Sequence, residues 1–259
     1  MIRNVIGTTK TTLTISFGVL LCVSLLFSVG ADALMYDDFS SPSIDTDLWR
    51  ISDPDGLFSQ SGGQLHFASQ DISVGASLTS RTSLGPSFFS MDFNRFVSDN
   101  TSPPNQGEGS FAALGLGTRD TTFVRMLRGR VVSADYGYFE ANYYDGTDLH
   151  VWWVPTQVTS GQLGLLYDGS MVSFFYNDGI SGWQMIDTSG VDTNGNTVTV
   201  APLWSSPPPL FISGTPGGSG ITNFAVDKVE YAPVPEPSTM LLLASGLVGL
   251  WGIRRKFKN

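Results

Sequence analysis

The chain has 259 residues, 41% of them hydrophobic and 12% aromatic, with 29 glycines and 14 prolines. That mixture supplies a core and many turns, and favours a β-rich body over helices or disorder. The net charge is −9; setting aside the six basic and two acidic residues of the end segments leaves 8 basic against 21 acidic in the middle, about −13, a field that repels nucleic acid.

The chain opens "MIRNVIGTTKTTLTISFGVLLCVSLLFSVGADA". Arg3 and Lys10 form a basic lead, and Leu13 to Val29 is nearly all apolar or small. Ala31-Asp32-Ala33 fits the small-x-small pattern cut by signal peptidase, so cleavage is expected after Ala33. The alternative is an uncleaved membrane anchor; either reading exports the body of the protein. Cys22, the one cysteine, lies in this run behind Val19, Leu20 and Leu21, which is a poor lipidation site. The body beyond Ala33 therefore has neither disulfides nor thiol catalysis. Three segments are expected: 1–33 as signal peptide, 34–232 as one domain, and 233–259 as a sorting tail.

Along the domain the pattern is β. Gln64–Ala68 is the first clear strand candidate. In "FFSMDFNRF", Phe89, Met91 and Phe93 alternate with Ser90, Asp92 and Asn94, the period of a half-buried strand. Strands are predicted over Phe111–Gly117, Phe123–Leu127, Gly137–Tyr144, His150–Val154 and Asn223–Tyr231. Asp168-Gly169 and Asp178-Gly179 supply hairpin turns, and Asn194-Gly195 a third. Arg119, Arg125, Arg128 and Arg130 read as a solvated strand or loop edge. Many short strands with regular turns, and no apolar repeat at helical spacing, indicate a sandwich or barrel.

"MYDDFSSPSIDTDLWRISDPDGLFSQSGGQLHFAS" resembles the opening of a concanavalin A-like lectin/glucanase jelly roll: an Asp-Asp-Phe strand, a loop to Trp49, then the Gly62-Gly63-Gln64-Leu65 hairpin. "LGLLYDGSMVSFFYNDGISGWQMI" is similar to a later strand–turn–strand–Trp-strand run of that fold, and "ITNFAVDKVEY" to the closing strand that returns beside the first. The resemblance implies an all-β jelly-roll sandwich, and fold alone assigns no function.

Glucanases of this kind carry Glu-x-Asp-x-Glu on one strand, so that the carboxylates share a face; a retaining pair stands about 5–5.5 Å apart. The nearest sequence here is Glu140-Ala141-Asn142-Tyr143-Tyr144, with an amide and a phenol where the second and third carboxylates belong. An amide cannot relay a proton as a carboxylate does, so a non-enzyme is expected. His66 and His150, the only histidines, read as strand-edge residues rather than metal ligands. Asp38 and Asp227 are candidate ligands for a structural calcium, if the first and last strands pair as the resemblance suggests. Sugar binding is the leading positive reading, because sugars stack on exposed rings beside polar groups. "EANYYDGTDLHVWWVP" gathers such groups, and alternation sends Trp152 and Trp153 to opposite faces. The candidate glycan contacts are Tyr144, Asp145, His150, Trp152 and Trp183.

The chain closes "VPEPSTMLLLASGLVGLWGIRRKFKN". Thr239 to Ile253 carries no charge, and Arg254, Arg255 and Lys256 come directly after it. Fifteen residues of helix give roughly 22 Å against about 30 Å of hydrocarbon. The basic flank orients this end to the cytoplasm, and its long side chains reach the headgroups. Pro235-Glu236-Pro237, the short apolar run and the Arg254-Arg255-Lys256 cluster resemble the PEP-CTERM sorting signal in order and spacing. That resemblance implies a Gram-negative bacterium that makes exopolysaccharide, a transient stay in the inner membrane, and processing by exosortase at or near the Pro-Glu-Pro motif. An ordinary tail anchor is the alternative. The whole reads as an exported envelope or matrix protein that binds exopolysaccharide. Its alternatives are a structural matrix protein without a specific ligand, and a glycoside hydrolase or lyase.

Overall fold

Alternating apolar and polar residues can bury one face only by pairing edge to edge and then stacking sheet on sheet. A computed structural model describes residues 33–69, 75–98, 110–118, 122–131, 136–202, 204–216 and 221–234. Its strands are β1 (Leu34–Asp37), β2 (Trp49–Ser52), β3 (Phe58–Ser61), β4 (Gln64–Ala68), β5 (Ala76–Ser83), β6 (Ser87–Ser98), β7 (Ser110–Gly117), β8 (Phe123–Val131), β9 (Tyr136–Tyr144), β10 (Leu149–Thr156), β11 (Gly161–Tyr167), β12 (Val172–Asn177), β13 (Trp183–Ile186), β14 (Pro209–Thr215) and β15 (Thr222–Pro233). There is no α-helix among the described residues. The expected signal and membrane segments lie outside them, as do Ala31, Pro235, Glu236, Pro237, Arg254, Arg255 and Lys256.

The strands form two antiparallel sheets. The first runs β13-β12-β11-β6-β15-β4-β3, the second β10-β9-β8-β7-β14-β5-β2. β4 pairs with the first part of β15 and β1 with its later part, so the closing strand does return beside the opening one. Phe89, Met91 and Phe93 of β6 face inward, against Leu114 and Leu116 of β7 and Phe139 of β9, all fully buried. Phe139 lies between Phe93, edge-on at 6.3 Å, and Tyr176, stacked at 4.6 Å, so the two sheets meet through rings. Each such side chain contributes about 1.5–3 kcal/mol on burial. Together they supply the packing that a disulfide-free domain needs. The fold is a jelly-roll β-sandwich, all-β as expected.

Local chemistry explains the opening. The Trp49 indole, fully buried, donates to Asp37 Oδ2 at 2.7 Å, while Asp37 Oδ1 accepts the Phe39 N–H at 2.8 Å. That cap holds Phe39 at a φ of 51°, a left-handed conformation that sinks its ring into the core. β1 therefore ends at Asp37, and Asp38 and Phe39 lie in the turn after it rather than in the strand. Gly62 and Gly63, at φ of 60° and 74°, make the two-residue turn joining β3 to β4.

Three readings change in three dimensions. Asn194-Gly195 makes a turn, but its flanks meet in a single bridge, Val191 to Thr197, instead of a hairpin. Arg128 is buried rather than solvated: its guanidinium lies 4.8 Å from the Phe96 ring centre, and its Nε donates to the Val158 carbonyl at 2.8 Å. Burial first, with Arg130 adding to it, lowers its pKa to about 10 despite the opposing influence of Tyr138. β5 and β14 add strands beyond those predicted: Ser80 and Gly214 take inward positions and Phe211 an outward one, which blurs the alternation.

Candidate functional site

β9 lies between β8 and β10 and has two faces. Phe139, Ala141 and Tyr143 enter the core. Tyr138, Glu140, Asn142 and Tyr144 occupy the alternate positions on the outward face. Register then chooses their neighbours. Glu140 is opposite Leu127 on β8 and Trp153 on β10; Asn142 is opposite Arg125 and Val151; Tyr144 is opposite Phe123.

These outward side chains form a relay. Arg125 Nε donates to Asn142 Oδ1 at 2.7 Å, and Asn142 Nδ2 donates to Glu140 Oε1 at 2.6 Å. The Arg125 guanidinium sits over the Phe111 ring at 4.5 Å and the Phe123 ring at 5.4 Å. Phe123 in turn stacks on Tyr144 at 5.5 Å. Glycine makes room for this floor of rings: Phe211 lies over Gly115, and Tyr138 over Gly129, where any Cβ would collide. Burial raises the Glu140 pKa above the usual carboxylate value, partly offset by the Asn142 hydrogen bond and the Arg125 charge. The Trp153 indole is 44% exposed beside it. None of Tyr138, Asn142, Leu127 or Trp153, the nearest residues in the register, carries a second carboxyl. The arrangement can hydrogen-bond hydroxyls and stack a flat apolar ligand face.

The residues expected to contact sugar are split between faces. Tyr144 is half-buried on the outward face, its hydroxyl donating to the Gly146 carbonyl at 3.0 Å. Asp145 is exposed in the β9–β10 turn and accepts the N–H groups of Thr147 and Asp148 at 2.7 and 2.8 Å. Trp152 is 5% exposed and points into the sandwich, so no ring face is left for a ligand; the exposed member of the pair is Trp153. His150, on the edge strand β10, also points inward and is buried. Its Nδ1 lies 2.8 Å from Asp192 Oδ2, and its Nε2 3.6 Å from Asp145 Oδ2. Trp183 belongs to the other sheet, half-buried on its outward face and edge-on to Phe88 at 5.2 Å.

The two candidate calcium ligands have separate partners. Asp38 Oδ1 accepts the Ser40 N–H at 3.0 Å. Asp227 accepts Gln64 Nε2 at 2.5 Å and Asn94 Nδ2 at 2.6 Å. Among the described residues no three His, Cys, Asp or Glu side chains gather to hold a metal. His66 Nε2 is 3.2 Å from the Ser61 carbonyl. Arg125 and Trp153 join the site although neither is among the contacts expected from sequence. The alternation of β10 leaves open which tryptophan of the pair faces out, and only pairing with β9 puts Trp153 beside Glu140.

The PEP-CTERM protein-sorting motif matches residues 233–256. That motif implies exosortase processing and sorting to the cell surface. No curated protein sequence matches the chain. Among solved structures, the GH43 protein BlXynB from Bacillus licheniformis is 13% identical with a TM-score of 0.56, covering 76% of this chain and 39% of its own. The chain thus spans about two fifths of that protein's length. The Bacillus licheniformis beta-glucanase is 13% identical with a TM-score of 0.52, over 78% of this chain and 98% of that one. The Crh5 transglycosylase, in its apo form, is 16% identical with a TM-score of 0.52, over 76% and 82%. These likenesses show the fold, a jelly roll of the glucanase kind.

Proposed function

We propose that the chain is an exported, exosortase-processed surface protein whose sandwich binds exopolysaccharide without cleaving it. The observation that carries this reading is the exposed Trp153 indole beside the hydrogen-bonded Arg125–Asn142–Glu140 relay. A pyranose stacks its C–H face on the indole, while the Glu140 carboxyl, held in place by the buried Asn142 amide, meets its hydroxyls. Holding these groups in one relay before the ligand arrives lowers the ordering cost of binding. The acidic body favours a neutral polymer over an anionic one.

Absence of catalysis is part of the proposal. Glycoside hydrolysis uses two carboxyls, one on each side of the scissile bond. Glu140 has Asn142 and Tyr144 at the next outward positions of its own strand, so a partner carboxyl is missing from the places where this fold would set it. A glycan array on the exported chain tests the binding. Trp153→Ala is expected to weaken the best glycan at least tenfold, and Glu140→Gln to weaken it less. Failure to bind any polysaccharide would overturn the reading. Release of reducing sugar that Glu140→Gln abolishes would overturn its non-catalytic half.

A further inference from the structure

The two ends of the sandwich differ in what leaves them. β1 runs antiparallel to β15 with Leu34 opposite Tyr231, so the start of the domain lies beside the end of its last strand. Pro233 still pairs with Ser87, and the Val234 N–H donates to the Pro86 carbonyl at 3.0 Å. Both hydrophobic extremities of the sequence are therefore connected to the same end of the first sheet. Only residues 235–238 separate Val234 from the uncharged run that begins at Thr239. Even fully extended, five residue steps span at most about 18 Å. While that run is in a bilayer, this end of the sandwich stays within that distance of the point where the chain enters it.

The same end exposes apolar side chains. Leu34, Met35 and Met171 are each close to half exposed. Met171 sits in the β11–β12 turn, where the Asp168 carboxylate accepts the N–H groups of Ser170 and Met171, both at 2.8 Å. The turn lies against Pro86, since a Cβ built on Gly169 would be 3.3 Å from Pro86 Cγ. Exposure alone does not single out this end. Ile180, in the β12–β13 turn at the opposite end, is 85% exposed. The two turns are joined by β12, whose six residues set them about 20 Å apart at 3.3 Å per residue. The turn at Ile180 is remote from both chain exits.

We infer that the rim formed by Leu34, Met35, Pro86 and Met171 docks on the lipid headgroup interface while the C-terminal tether is intact. Its occupant is the bilayer surface, chosen by the shortness of the connecting chain. With about −13 on the domain an anionic surface repels it, so the attraction is apolar, and salt, which screens the repulsion, is expected not to weaken the contact. The inference rests on the C-terminal run being a membrane segment, independently of any glycan binding.

The test uses the full-length precursor, with Cys22→Ser, in phosphatidylethanolamine/phosphatidylglycerol vesicles. An environment-sensitive fluorophore is placed at Ser170→Cys or at Ile180→Cys, and quenched by nitroxide lipids. Quenching at position 170 is expected to exceed that at 180 at least threefold. Adding Met35→Asp and Met171→Asp is expected to lower it by half or more, while the protein stays in the membrane. Equal quenching at the two positions, or no response to the aspartates, overturns the docking alone. A precursor that alkaline carbonate strips from the vesicles overturns the tether and the docking together.

Discussion

Single side chains carry much of this fold, because so few of its buried polar groups have alternatives. Trp49 fills the core and at the same time donates to the carboxylate that holds Phe39 left-handed. Trp49→Phe keeps most of the ring but leaves Asp37 Oδ2 without that donor, and is expected to cost about 1–3 kcal/mol in urea denaturation. Glu140 gives a different signature. Burial raises its folded pKa above its ordinary value of 4.5, so the folded chain holds that proton more tightly than the unfolded one. Ionisation at neutral pH therefore works against folding, and stability is regained as pH falls through the folded pKa. Glu140→Gln is expected to raise the Tm at pH 7, with the gain shrinking toward zero near pH 4. A gain that persisted unchanged at low pH would contradict this account.

At the scale of elements, β9 and β10 show how one hairpin serves two purposes. Its inward residues complete the core, its outward ones form the relay, and the His150–Asp192 pair pins the loop after β13 to it. Asp192 Oδ1 accepts the N–H groups of Asn194 and Asn196, and the Thr193 N–H reaches the Val151 carbonyl at 3.0 Å. Burial works to raise the Asp192 pKa, but the Asn196 N–H, the His150 ring and the Asn194 N–H outweigh it and hold it below 3.8. That contribution is present above the unfolded value and is lost as pH falls through the lower, folded one. Asp192→Asn is expected to speed amide exchange at Thr193 and Asn196 several-fold at neutral pH, with little change at Phe139 on the core strand. Glycine placement matters as much. Gly115→Ala drives a methyl into the Phe211 ring, and is expected to cost about 1–3 kcal/mol by overpacking.

For the whole molecule, the sandwich ends where the sorting motif begins. The motif covers 233–256, and β15 pairs through Pro233. Cutting at or beyond Pro235 would leave every ladder hydrogen bond of the first sheet in place. Native protein is therefore expected to end near Pro235-Glu236-Pro237 by mass spectrometry. Its Tm should fall within about 2 °C of that of the untrimmed chain in detergent. A cut upstream of Ser87's partner, Pro233, would remove part of the sheet and is expected to destabilise it.

Much of this is legible in the residues themselves. Alternation in "FFSMDFNRF" and the Gly62-Gly63 turn are local signals, and each specifies its element without reference to any distant neighbour. The C-terminal motif is legible for the same reason, since its three parts are contiguous. The burial of Arg128 is not, because it depends on the opposite sheet, which supplies Phe96. Choosing Trp153 over Trp152 requires the register of β10 on β9, where a shift of one residue would exchange the two faces. The relay requires β8 as well, which brings Arg125 to Asn142 from 17 residues away. Short-range chemistry determined most of the strands, the turns and the sorting tail; long-range pairing alone decided which side chains stand together on one outward face.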